Sequence, residues 1–162
     1  VTSPEPQLVR LLRSLVEADI EFVLIGGVAA VLRGSEILTR DIDVVHTTTD
    51  ENLARLAQVL TDLDARLRGA EEVDVTIDVP FLRSAERFTF ATSLGPLDLL
   101  VAPDGTDGYA DLVRTADEVA IGDVRVLVAS IDDLIRMKEA AGRPKDRYAL
   151  ELLEVLREDR DR

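Results

Sequence analysis

The sequence predicts an α+β fold, a mixed β-sheet flanked by helices with further helices closing the C-terminal end. Three observations carry that reading. Short apolar runs of strand length alternate with helical periodicity in the first half, the middle is dense in period-2 segments, and the C-terminal stretch returns to helical spacing. With 162 residues, 46% of them hydrophobic, the chain suits one domain spanning 1–162 around one core. No internal repeat or low-complexity linker divides it.

Each element has its own signal. Leu8, Leu11, Leu12, Leu15 and Val16 recur at i, i+3, i+4, i+7 and i+8, an amphipathic helix ending near Asp19. Phe22-Val23-Leu24-Ile25 is a short apolar run stopped by Gly26-Gly27, so it reads as a buried strand, and a helix over 28–32 starts from the glycines. Ile42 to His46 reads as a second strand. Thr49 or Asp50 caps a helix with Leu53, Leu56, Ala57, Leu60 and Leu63 on one face. Strands are predicted at 73–79, 88–92, 97–101 and 124–128, the middle pair around a Gly95-Pro96 turn. Ser130 and Asp133 form a capping-box spacing that opens a helix to about Ala141. Gly142-Arg143-Pro144 breaks it, and Pro144 begins a last helix over about 144–157.

Composition narrows the chemistry. Cysteine is absent and His46 is the only histidine, which removes disulfides, thiol nucleophiles, Ser-His triads and Cys/His zinc sites. A metal here is a hard cation held by carboxylates. The net charge of −13, from 32 Asp+Glu against 19 Lys+Arg, opposes broad nucleic-acid coating, although a local basic patch still suits one phosphate-bearing ligand. No apolar run approaches membrane-helix length, and no basic stretch leads into an apolar segment near Val1. The expectation is a soluble, cytoplasmic protein without a membrane partner.

Four places carry candidate chemistry. Asp41-Ile42-Asp43 places two carboxylates on one side of a strand, where they can converge on a cation. A bare Asp-x-Asp decides nothing, because Asp62-x-Asp64 and Asp159-x-Asp161 occur as well. Only Asp41/Asp43 leads into an apolar strand shortly after a strand-Gly-Gly-helix unit. Gly26-Gly27 lets the backbone approach a ligand, with N–H groups at a helix start favouring an anion; a tight turn without a ligand fits equally well. Asp98 interrupts the apolar run Leu97 to Val101, either to complete a three-carboxylate cluster or to face solvent. Lys138 and Lys145 are the only lysines. Lys138 shares a face with Ile131, Leu134 and Ile135, and Asp146 shares one with Ala149, Leu150 and Leu153. The two inward charges pair with each other or build the wall of a phosphate site with Arg143 and Lys145. His46 has the opposite strand parity to Asp41 and Asp43, so it reads as structural.

Taken together, Gly26-Gly27, Asp41-Ile42-Asp43 and Asp98 resemble the signature of the nucleotidyltransferase superfamily that includes DNA polymerase beta. The resemblance spans residues 22 to about 156. Within it, Thr39-Arg40-Asp41-Ile42-Asp43 and Gly95-Pro96-Leu97-Asp98-Leu99-Leu100 look closest to the AbiEii-like branch, which contains the transferase toxins of type IV toxin–antitoxin systems. Lys138 with Gly142-Arg143-Pro144-Lys145-Asp146 is similar to the Lys-Asp helix that closes those domains. The turn departs from the Gly-Ser of many relatives, leaving Ser35 or Thr39 as the available hydroxyl.

The resemblance implies a nucleotidyltransferase-like sheet and transfer of a nucleoside monophosphate from an NTP to an acceptor hydroxyl, with release of pyrophosphate. It implies two Mg or Mn ions on Asp41, Asp43 and Asp98, and triphosphate contacts from Gly26, Gly27, Arg40, Lys138 and Lys145. In the toxin-like reading the acceptor is an RNA or tRNA end or a protein hydroxyl, and a cognate antitoxin is a partner. A small-molecule, antibiotic-type transferase and an inactive nucleotide-binding regulatory module are the alternatives.

Overall fold

The computed structural model describes residues 3–162, and its sheet forms because the apolar runs of the sequence have different partners. The strands are β1 (Phe22–Ile25), β2 (Ile42–His46), β3 (Arg66–Leu67), β4 (Arg87–Thr92), β5 (Gly95–Leu100), β6 (Asp117–Ile121) and β7 (Val124–Val128). They form one seven-stranded sheet in the order β3-β4-β5-β2-β1-β7-β6. Pairing is mixed: β2 with β5 and β1 with β7 are parallel, and the other neighbours are antiparallel. All four residues of β1 are buried, as expected for a central strand covered on both faces.

Helices cover the sheet. They are α1 (Gln7–Glu17), α2 (Gly26–Leu32), α3 (Asp50–Asp62), α4 (Val79–Arg83), α5 (Tyr109–Leu112), α6 (Ile131–Ala141) and α7 (Arg147–Arg160). Leu11, Leu12 and Leu15 of α1 and Leu53, Leu56 and Leu60 of α3 are among the most buried side chains and meet Val23, Val45 and Leu99 in one core. The predicted caps hold: Thr49 accepts from the Asn52 N–H and Ser130 from the Asp133 N–H. Gly142 ends α6 in the left-handed conformation at φ 60°, and α7 folds back onto α6. Pro144–Asp146 is a 3₁₀ turn, so the last α-helix begins after it and not at Pro144.

The strand predicted at 73–79 is absent. Val75 and Ile77 are half-buried and Asp74, Thr76 and Asp78 exposed, so the alternation is real. The segment pairs with no neighbour, because β3 ends after two residues and Asp78 then caps α4 by accepting from the Phe81 N–H. Among the described residues, no helix is long and apolar enough to cross a membrane.

Candidate active site

Strand pairing brings two of the carboxylates face to face. β2 and β5 run parallel with Asp43 opposite Asp98, and on its other side Asp43 stands opposite Ile25. Asp98 in turn stands opposite Thr89 of β4. Arg68, just past β3, donates its backbone N–H to the Thr89 carbonyl at 2.9 Å. Side chains along such a cross-strand row leave the sheet on one face, so Arg68, Thr89, Asp98 and Asp43 share it. Asp41 joins them by the i, i+2 rule.

Charge on this face is unevenly compensated. Asp98 is 5% exposed and takes the Arg68 guanidinium on one oxygen and that of Arg87, at 3.7 Å, on the other. The same Arg68 reaches to 3.9 Å from Asp41, whose side chain is half exposed. Asp43 has no such partner. Burial pushes its carboxyl from an ordinary 3.8 up to about 7, helped by the charge of Asp98, a hydrogen bond with it and the charge of Asp41, against a weaker pull from Arg87.

The glycines press on this face. Gly26 adopts φ +72°, and a Cβ there would lie 2.2 Å from Asp43 Oδ2. Only a residue without a side chain lets the turn from β1 into α2 lie against that carboxylate. A Cβ on Gly27 would stand 2.9 Å from Thr39 Cγ2, so a serine there would require Thr39 to shift. Thr39 Oγ1 lies beside the turn, whereas Ser35 is buried and accepts from the Ile37 N–H.

A cleft of about 420 Å³ opens beside the carboxylates. Gly26, Asp43, Lys138 and Arg143 line it, together with Glu86, Arg87 and Asp104 and an apolar wall of Leu134, Met137 and Leu153. Lys138 points inward as its helical face requires and lies 3.5 Å from Asp146, which Arg143 also holds at 2.6 Å. Burial works to raise the Asp146 carboxyl, but Arg143 and Lys138 together outweigh it and hold it low. Lys138 thus pairs with Asp146 and also lines the cleft.

Other predicted residues lie apart. Arg40 and Lys145 are exposed and outside the cleft lining. His46 is buried, contacts the Thr47 carbonyl, and has its pKa lowered chiefly by burial, in keeping with a structural role.

Arg68, Arg87, Glu86 and Asp104 were not singled out from the sequence. Arg87 had a signal, since it and Thr89 alternate with Phe88 and Phe90 and so take the polar face of β4. Arg68 had none, because it follows a two-residue edge strand.

Asp43 and Asp98, opposite each other on a buried strand pair, are the type of donor a hard divalent cation takes. The set is not preassembled: among the described residues no three carboxylate or imidazole side chains stand gathered as an ion site, and the Arg68 guanidinium lies among the carboxylates.

No family model matches the chain, and no curated protein matches it in sequence. Its shape does have solved counterparts. The lincosamide antibiotic adenylyltransferase LnuA, with lincomycin bound, superposes with a TM-score of 0.64 at 16% identity, covering 96% of this chain and 99% of that one. A Thermotoga maritima protein described as a nucleotidyltransferase gives 0.58 at 14% identity, covering 89% and 88%. ANT(2″)-Ia in complex with adenylyl-2″-tobramycin gives 0.57 at 20% identity, covering 93% and 92%. At these identities the likeness establishes the fold: the chain has the architecture of nucleotidyltransferases, as the carboxylate and glycine pattern implied.

Proposed function

We propose that the protein is a nucleotidyltransferase that moves a nucleoside monophosphate from an NTP to an acceptor hydroxyl. The observation that carries this reading is that Gly26 and Asp43, which stands opposite Asp98 in the sheet, line the same cleft as Lys138. In the reaction the acceptor oxygen bonds to the α-phosphorus, the bond from that phosphorus to the bridging oxygen breaks, and pyrophosphate leaves. The hydroxyl proton passes to a carboxylate, which we assign to Asp98.

Asp41, Asp43 and Asp98 would hold two Mg or Mn ions, whose chemistry is to stabilise charge on the attacking and leaving oxygens. The protein's own part is positioning and charge. The Gly26-Gly27 backbone lies against the phosphates with no side chain to hold them off. Thr39 offers the hydroxyl that a glycine at 27 lacks. Lys138, supported by Arg143 and with Arg40 and Lys145 at the periphery, offsets the triphosphate charge.

Two acceptor classes follow from different observations. The AbiEii-like strings favour an RNA end or a protein hydroxyl, with a cognate antitoxin as partner. The cleft carboxylates Glu86 and Asp104 and the whole-chain likeness to two antibiotic-modifying enzymes favour a small cationic acceptor. One assay tests both. The protein is incubated with Mg and each α-labelled NTP in the presence of total RNA, lysate protein or a panel of aminoglycosides and lincosamides. Label on one class, lost with Asp41→Ala/Asp43→Ala, identifies the acceptor. Label on none of the three overturns the assignment.

A further inference from the structure

The geometry points to Arg68 as a built-in counter-cation, which bridges Asp98 and Asp41 and must leave before a divalent ion can be held there. This rests on the nucleotidyltransferase reading of the same face. Three observations support it. The guanidinium contacts buried Asp98 through one nitrogen and approaches Asp41 to 3.9 Å through the other, thereby spanning two of the three carboxylates assigned to the metal. It reaches them across Thr89, the one short side chain in the row between them. Its backbone follows a two-residue edge strand, and the next residues, 69 to 78, make no strand pairing.

Charge balance explains why an arginine belongs here. Clustered carboxylates repel, and an always-charged, planar donor satisfies two of them at once without a metal. Arg87 shares Asp98, at 3.7 Å, and pulls weakly on Asp43, but from a side chain more than half exposed it forms no ion pair with Asp41, which Arg68 does reach. A cation arriving at Asp41, Asp43 and Asp98 competes with Arg68 for the same oxygens, so the ion pair sets the metal affinity. Once released, Arg68 stands at the rim of the site with its charge available to an anionic ligand.

The test is Mn affinity of the nucleotide-free protein, read from the electron paramagnetic resonance signal of unbound Mn. Wild type is compared with Arg68→Gln, Arg68→Lys and Asp43→Ala. Arg68→Gln should bind Mn about tenfold more tightly than wild type, the factor that corresponds to one displaced ion pair of about 1.4 kcal/mol. Arg68→Lys, which keeps charge but loses the two-pronged reach, should fall between them. Asp43→Ala should lose binding.

Melting temperatures check the same competition without activity. Arg68→Gln should melt below wild type without metal, and the gap should narrow as Mn is added. If Arg68→Gln does not fold, Arg68→Lys alone decides by binding Mn more or less tightly than wild type. Equal or weaker Mn binding by the Arg68 variants, with binding still lost in Asp43→Ala, overturns the competition and leaves the metal site standing. Absence of Mn binding in every variant removes the metal reading and the role of Arg68 with it.

Discussion

Asp43 is the residue at which the fold works against itself. Its carboxyl is raised to about 7 by burial and by Asp98, so the folded chain holds a proton there that the unfolded chain has already lost. Between about pH 4 and 7 the folded state therefore binds more protons, and the stabilisation is present at the acid end and lost as pH rises. We expect urea unfolding of the metal-free protein to show stability falling from pH 5 to pH 7.5 more steeply than in Asp43→Asn. Equal slopes would show that Asp43 does not titrate as its surroundings dictate. Gly26 is the complementary case. Gly26→Ala forces a side chain into φ +72° and onto Asp43 Oδ2. The backbone alone should cost roughly 1–2 kcal/mol, and label transfer should fall below a tenth of wild type because Asp43 must move. At this scale the sequence was informative where a polar residue or glycine meets an apolar strand: Gly26 stops one, Asp41-x-Asp43 leads into another and Asp98 interrupts a third. Arg68 was not, since its meaning arises only when an edge strand sets it across Thr89 from Asp98.

Elements place those residues, and α6 and α7 do so by folding against each other. Lys138 is held over the cleft by Asp146, which keeps Arg143 if the lysine is removed. Lys138→Met should thus change stability by less than about 1 kcal/mol. A hydrogen bond to a charged group is worth about 1.5–3 kcal/mol, so KM for the NTP should rise roughly tenfold to a hundredfold. Steady-state kinetics beside a melting curve separates those two effects. The helices α1, α2, α3, α6 and α7 were legible from their period, caps or flanking glycines, whereas α4 and α5, at five and four residues, are too short to carry a period. The edges of the sheet were not, and the two edges failed for different reasons. At 73–79 the alternation was present, but a strand requires an open neighbour and β3 offers only two residues. At β6 the reverse holds: Asp117, Glu118 and Ala120 are exposed, so the apolar signal is thin. A two-residue Gly122-Asp123 turn before Val124 does mark a hairpin there.

The whole molecule adds a field that no single residue carries. A charge of −13 surrounds a cleft whose own basic groups are confined to Arg87, Lys138 and Arg143. Under the proposed function, an acceptor crosses a negative potential before it meets the local positive charge, and salt screens the long-range part more than the buried part. Raising ionic strength from about 10 to about 100 mM shortens the Debye length from roughly 30 to 10 Å. With NTP and Mg saturating, the rate toward an RNA acceptor should rise over that interval, opposite to the usual loss of nucleic-acid affinity with salt. The rate toward a cationic small acceptor should fall, because screening removes an attraction. The sign of the salt response thus reports the charge of the acceptor through the protein's global field, independently of which product is labelled. A falling rate with RNA would mean that a local basic footprint, such as exposed Arg40, Arg143 and Lys145 would form, outweighs the −13 background.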